Sequence, residues 1–306
     1  MTRMLVLLGF ATLLVWPLRS YLIRARWTAY APRAAIVLWQ AIGAAASIAI
    51  VGACVEAVSM ASPPANPRRH VSDLTGSAIV NTPSRSSAPE HLFMLTAALI
   101  VAALLIGALL TRTIGTLRAR AHQRTLIDLL GDEQIDARGT FVVNHPVATA
   151  FSVPGLHPRV VVSRGAVETL SSEELAAVLA HERSHVHAHH DLVLLPFRSL
   201  GMALPRSRAI AAVTHRIGTL VEMAADDHAS RRCGSTTLVR ALCRMSNTSE
   251  GASLSVASPS NVVQRVDRLL APRRNASALV VGSGLSALIV LAIPFVTLFV
   301  SIGRTV

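Results

Sequence analysis

Lysine is absent from this sequence, so its formal net charge of +12 rests on arginine alone. That absence excludes a Ser-x-x-Lys nucleophile. Charge is also scarce: charged residues make up 15% of the chain against 52% hydrophobic, well below the ~25% of soluble domains. An ordinary soluble globular protein is thereby excluded. The three cysteines, Cys54, Cys233 and Cys243, show no paired spacing, which leaves no disulfide framework and implies free thiols. Aromatic residues are only 4%. With no aromatic-basic platform and no basic recognition helix, no direct nucleic-acid partner is expected.

What the sequence does hold is four long apolar runs: Met4 to Leu18, Ala34 to Met60, Phe93 to Leu110 and Ser277 to Ile302. The last three each reach or approach the ~20 residues that cross a ~30 Å hydrocarbon layer. The first is about as long as a signal-peptide core, but Arg19, Arg24 and Arg26 follow it directly, which favours a retained anchor over a cleaved leader. Arginine also sets the orientation. Arg19, Arg24, Arg26 and Arg33 fill the first loop, and Arg112, Arg118, Arg120 and Arg124 follow the third run, so both segments are expected in the cytoplasm. Of the 29 Arg, 20 fall between residues 111 and 276, and a basic face beside a bilayer meets anionic headgroups.

The fold expected is therefore an α-helical membrane protein of about four transmembrane helices carrying a cytoplasmic α+β zincin-like (gluzincin) metallopeptidase domain. Residues 1–110 hold three spans, with a short cytoplasmic loop (19–33) and a Ser/Pro-rich external loop (61–92). Residues 111–276 form the cytoplasmic domain, and 277–306 the fourth span with a short external tail. Both termini are expected outside.

The segment between the third and fourth runs is long enough for a core of its own. Arg112 to Leu130 has helical spacing ending at Gly131. Gly139 to Val161 alternates around Asn144-His145-Pro146 and Pro154-Gly155 as a small sheet would. Arg159 to Ser163 reads as a β-branched strand, and Arg164-Gly165 as a turn. Ser171 with Glu174 predicts a capping box opening a helix. That helix runs into His181-Glu182-Arg183-Ser184-His185.

His181 and His185 stand at i and i+4, so both imidazoles face one way. Two such nitrogens supply two vertices of a tetrahedral zinc site. Glu182 beside them can take a proton from a water activated by the metal and return it to the leaving amine. By composition an H-E-x-x-H pattern is expected roughly 0.01 times in such a chain. The plainer alternative is a solvated His-rich helix, given His187, His189 and His190 just after the motif.

A third ligand is required. Asp191 is one candidate, although the sharp turn that such an arrangement uses has Ala188 where a Gly is expected. Glu222 is the better one, lying in the helical-looking run Val221 to His228. Asp226, one turn further on, can accept the free N–H of a ligand His and fix its tautomer. Asp227 and His228 are expected to point away, and His189 continues the i+4 row from His185.

The ordered series Ala150 to Gly155, Ser172 to Leu175, His181 to His185, His190-Asp191 and Glu222 with Ala225-Asp226 resembles the BlaR/MecR type of integral-membrane metallopeptidase. The resemblance implies Zn2+ as cofactor, with His181, His185 and Glu222 as ligands and Glu182 as catalytic base. It also implies Ala150, Phe151, Ser152 and Val153 as the sheet edge on which a substrate strand is laid. In that family a cytoplasmic site serves the removal of a repressor of β-lactam resistance genes. The expected partners are thus a protein substrate, a cytoplasmic transcriptional repressor in a β-lactam or cell-wall stress response, and the lipid bilayer. No penicillin-binding sensor follows the last span here, so the stimulus is expected through a separate sensor protein, the external loop or the membrane. A related resemblance, to HtpX-type quality-control peptidases, is weakened because Ser258-Pro259 stands where those carry His-Pro. A non-catalytic signalling scaffold is the third reading, and the intact Glu182 argues against it.

Overall fold

The structure is a computed structural model that describes residues 2–61, 131–136, 139–155, 158–249, 259–271 and 277–299, with isolated helical positions between 96 and 119. The expected third span, nearly all of the external loop and the helix expected up to Leu130 fall outside the described residues, apart from those isolated positions. Contacts divide the chain into two compact units. One comprises Met1–Ser20, Ala41–Ile106 and Ala287–Val306, the other Tyr21–Gln40 and Gly107–Ser286.

Three helical stretches among the described residues are long and apolar enough to cross a bilayer: Thr2–Arg24, Pro32–Ala57 and Ser277–Thr297. The shortest, at 21 residues, rises about 32 Å at 1.5 Å per residue. Helix α1 (Thr2–Leu13) widens into a π turn at Leu14–Leu18, where Pro17 lacks the N–H of a regular turn, and continues as α2 (Arg19–Arg24). The segment read as a loop thus prolongs the first helix and adds a short α3 (Trp27–Tyr30) before α4 (Pro32–Ala61). In the first unit Leu7 and Ala11 pack on Ala49 and Ala53. Ala45, Ala49 and Ala53 recur every four residues and are almost wholly covered. Small side chains in such a row let helix backbones approach where lipid offers no hydrophobic drive.

The second unit carries a four-stranded mixed sheet, β1 (Gly131–Asp136), β2 (Thr140–Val143), β3 (Ala150–Val153) and β4 (Arg159–Ser163), in the order β1-β2-β4-β3. β2 and β4 run parallel, and β3 lies antiparallel to β4 as an edge strand. Then come α5 (Arg164–Thr169), α6 (Ser172–His187), α7 (His190–Ala203), α8 (Arg208–Cys233), α9 (Ser235–Ser249), α10 (Pro259–Leu270) and α11 (Ser277–Phe299). The turn read at Arg164-Gly165 is instead the start of α5, because the Ser163 hydroxyl accepts from Ala166 N at 3.0 Å and caps a helix there. The capping box at Ser171 and Glu174 is present, and the Glu174 carboxylate also meets Arg244 of α9 at 3.0 Å.

Alanine determines how the site helices meet. Ala177 and Ala180 of α6 pack with Ala229 of α8 and Leu238 of α9, so that α6 and α8 lie close enough for short side chains to reach between them. Arg183 anchors α6 to the sheet through the buried Thr140 hydroxyl at 3.1 Å.

Gly165 fixes the approach to β3. Its N–H donates to His145 O, and a Cβ there would come within 1.9 Å of the Pro146 carbonyl oxygen. Backbone, not a movable side chain, would have to yield. Gly165→Ala is expected to cost about 2–3 kcal/mol, read as a lower thermal midpoint in detergent; an unchanged midpoint would show that the Pro146 loop is free to retreat.

Candidate active site

Helix α6 presents His181 and His185 one turn apart, and α8 brings Glu222 against them from the facing side. The two Nε2 atoms lie 3.2 Å apart. Glu222 Oε2 is 3.4 Å from His181 Nε2, and its Oε1 is 3.6 Å from His185 Nε2. These three residues form the group of metal-competent donors found among the described residues. Donors about 2.05 Å from a tetrahedral ion stand about 3.3 Å from one another. The two imidazoles and the carboxylate therefore suit a metal ion with one vertex left open. Asp191, the other candidate ligand, is outside this group, on α7.

Asp226, wholly buried, sits with Oδ1 3.1 Å from His181 Nδ1. The approach is close but falls short of a straight hydrogen bond. The carboxylate itself is gripped by Arg265, whose Nε and Nη2 donate to its two oxygens at 2.8 and 2.7 Å. Arg265 also places Nη1 3.3 Å from Glu222 Oε2. One buried guanidinium on α10 thus holds the carboxylate behind His181 and touches the one in front of it. Asp227, expected to point away, is paired with Arg268 of α10.

His190 supports the second imidazole. Its Nδ1 lies 3.1 Å from His185 Nδ1, and the ring is buried. The tautomer that leaves His185 Nε2 free for a metal carries hydrogen on Nδ1, which then donates to His190. His189, the residue the i+4 row pointed to, is exposed at the break between α6 and α7 with φ 48°. His187 is also exposed, with its Nδ1 2.7 Å from the Arg183 carbonyl.

Glu182 is not among the metal-competent donors; the Ser152 side chain of the edge strand hydrogen-bonds its carboxylate. Burial raises its pKa above the ordinary carboxylate value, against the charge of His181. On β3, Phe151 is exposed, Ala150 and Ser152 are half-buried, and Val153 is buried. All four residues of the expected edge therefore lie on an edge strand beside Glu182.

Without a metal the electrostatics are uneven. Burial lowers the His181 pKa, but contacts with Asp226 and Glu222 outweigh it and carry it to about 10, whereas burial holds His185 at about 4. Glu222 is held at about 2: burial raises it, but His181 outweighs that effect. A metal ion must therefore displace a proton from His181. Affinity is expected to rise with pH, by about tenfold per unit between roughly pH 7 and 9, as follows for one proton lost from a group of pKa near 10. Competition with a chromophoric chelator measures this; a flat profile over that range would mean that His181 is already neutral in the metal-free protein. For folding of the metal-free protein the sign is reversed. A raised His pKa stabilises fully below about pH 6.5, and that contribution is lost as pH rises through 10.

The family described as BlaR1 peptidase M56 matches residues 1–269. The chain belongs to that family. It is thus a membrane peptidase, and its His-His-Glu group points to a metal cofactor. Among solved structures, the crystal structure of S. mikatae Ste24p is similar at 17% identity with a TM-score of 0.31, over 58% of this chain and 58% of that one. This peptidase therefore spans a little over half of that chain's length.

The structure brings together three of the residues that the sequence pointed to, His181, His185 and Glu222, and sets Asp226 against His181. Sequence reasoning missed Arg265, which no local pattern distinguishes from the topological arginines around it. His190 it took, with His187 and His189, for a supporting or surface residue, without placing it against His185.

Proposed function

We propose that this M56 family member is a zinc endopeptidase of regulatory proteolysis. Its substrate is a cytoplasmic transcriptional repressor whose removal answers β-lactam or cell-wall stress. The observation that carries the catalytic part is the convergence of His181, His185 and Glu222, with Glu182 on the same helix hydrogen-bonded to an edge strand. Two imidazoles, one carboxylate and an open vertex are the donor set of catalytic zinc. When bound, zinc supplies Lewis acidity toward the scissile carbonyl and the attacking water.

The chain's own residues supply the rest. Glu182 takes the proton of the attacking water and passes it to the leaving amine, a task suited to a carboxylate whose pKa is already raised. The edge of β3 that is unpaired among the described residues accepts the substrate backbone as an added strand, with Ala150, Phe151, Ser152 and Val153 setting its register beside Glu182. Asp226 holds His181 in place, and Arg265 balances the two carboxylates. The arginines of the first loop and those after residue 111 favour a cytoplasmic site with external termini.

The test compares new protein N-termini in cells carrying wild-type or Glu182→Ala protein, with and without a β-lactam. Drug-dependent cuts in a DNA-binding repressor that vanish in the variant are expected. Cuts spread over membrane proteins would replace this reading with quality control, and no Glu182-dependent cut would leave a signalling scaffold.

A further inference from the structure

Helix α7 follows the site helix directly and turns an unusual face outward. Leu192 is 53% exposed, Met202 37% and Leu204, just past its end, 54%. Pro196 and Ala203 are exposed on the same side, while Leu194 and Phe197 face inward and are buried. The helix has 14 residues, too few to span. An apolar outward face on a helix of this length needs a cover that is not water.

The way α7 is held says what the cover is. Gln40 Nε2 donates to the Val193 carbonyl at 2.6 Å. Gln40 belongs to the apolar stretch Pro32–Ala57 and stands eight residues, about 12 Å, along α4 from Pro32. A span that crosses the bilayer carries Gln40 below the headgroups, and Val193 with it. Arg33 stands at that same N-terminal end of α4, and its charge reaches His190, the first residue of α7. Charge agrees with this placement. No Asp or Glu occurs from Leu192 to Val221, whereas Arg206 and Arg208 are exposed just past α7, as suits anionic headgroups.

We infer that α7 is an interfacial helix seated in the leaflet at the N-terminal end of α4, its Leu192–Leu204 face in acyl chains and Arg206 and Arg208 among anionic headgroups. Because His190 also touches His185, the metal-competent cluster stands at the bilayer surface, and polypeptide reaching it does so along the membrane. The seating does not depend on the peptidase reading, since depth is measured without turnover.

The full chain, with Cys54, Cys233 and Cys243 replaced by Ser, receives Leu192→Cys, Leu204→Cys or, as a water-facing control, Glu173→Cys. Each is labelled with a bimane and reconstituted in phosphatidylcholine–phosphatidylglycerol vesicles. Unchanged metal content shows that each variant folds. Iodide quenching at 192 and 204 is expected to be roughly fivefold weaker than at 173, with strong quenching by acyl-chain doxyl groups. Iodide access equal to that at 173 would overturn the inference. So would protection from iodide without doxyl quenching, since a protein partner would then cover the face.

Discussion

Replacing Arg265 with Met is expected to destabilise the metallopeptidase unit by about 3–5 kcal/mol, because removing one partner of a buried ion pair leaves the other charge uncompensated. Asp226 has no exposed surface and takes both of its close hydrogen bonds from Arg265. Its pKa lies well below the carboxylate range: burial raises it, but the guanidinium and His181 outweigh that. Without Arg265 it must stay charged in an apolar surround or take up a proton and lose its hold on His181. In a unit of this size the apparent thermal midpoint should fall by roughly 10 °C. A second variant separates pairing from packing. Arg265→Met with Asp226→Asn removes both charges and keeps an acceptor opposite His181, so it should recover most of the loss. An unchanged midpoint in the single variant would show that water, not Arg265, satisfies the carboxylate.

That arginine also marks the boundary of what the sequence discloses. His181, Glu182 and His185 are legible because a helix turns their spacing into proximity, and Ser171 with Glu174 announces where the helix begins. Glu222 and Asp226 are legible as partners that the first motif demands, one turn apart on a second helix. Arg265 lies 39 residues beyond Asp226, and its role depends on how α10 packs against α8. No local period encodes that packing. His190, read only as a supporting or surface residue, is a different case. The i+4 rule carries one from His185 to His189 only while the helix continues, and here it stops. Ala188 closes α6, His189 takes a left-handed conformation, and α7 restarts at His190. The break swings the next side chain under His185. Ser163 shows the same limit on a smaller scale, since a residue suited to a turn is equally suited to cap a helix.

Glu182→Gln is expected to reduce peptide cleavage by roughly 10^3-fold while leaving metal content and substrate affinity unchanged. The substitution preserves size and the capacity to accept from Ser152 but removes the basic oxygen, so that binding at the β3 edge survives and proton transfer does not. Position supports this separation. Glu182 is on the same helix as the two imidazoles but is not among the His-His-Glu donors, and its hydrogen bond runs to the strand instead. The pH profile provides the sharper readout. A carboxylate must be ionised to serve as a base, and burial has raised this one above its ordinary value. Wild-type activity should therefore fall toward acid at a pH above the usual carboxylate range, and the residual activity of Glu182→Gln should lack that limb. Ser152→Ala, which deletes the hydrogen bond favouring the ionised form, should move the limb further toward neutral pH at a modest cost in rate. Undiminished turnover in Glu182→Gln, with metal retained, would remove the base assignment and leave the proton to another group.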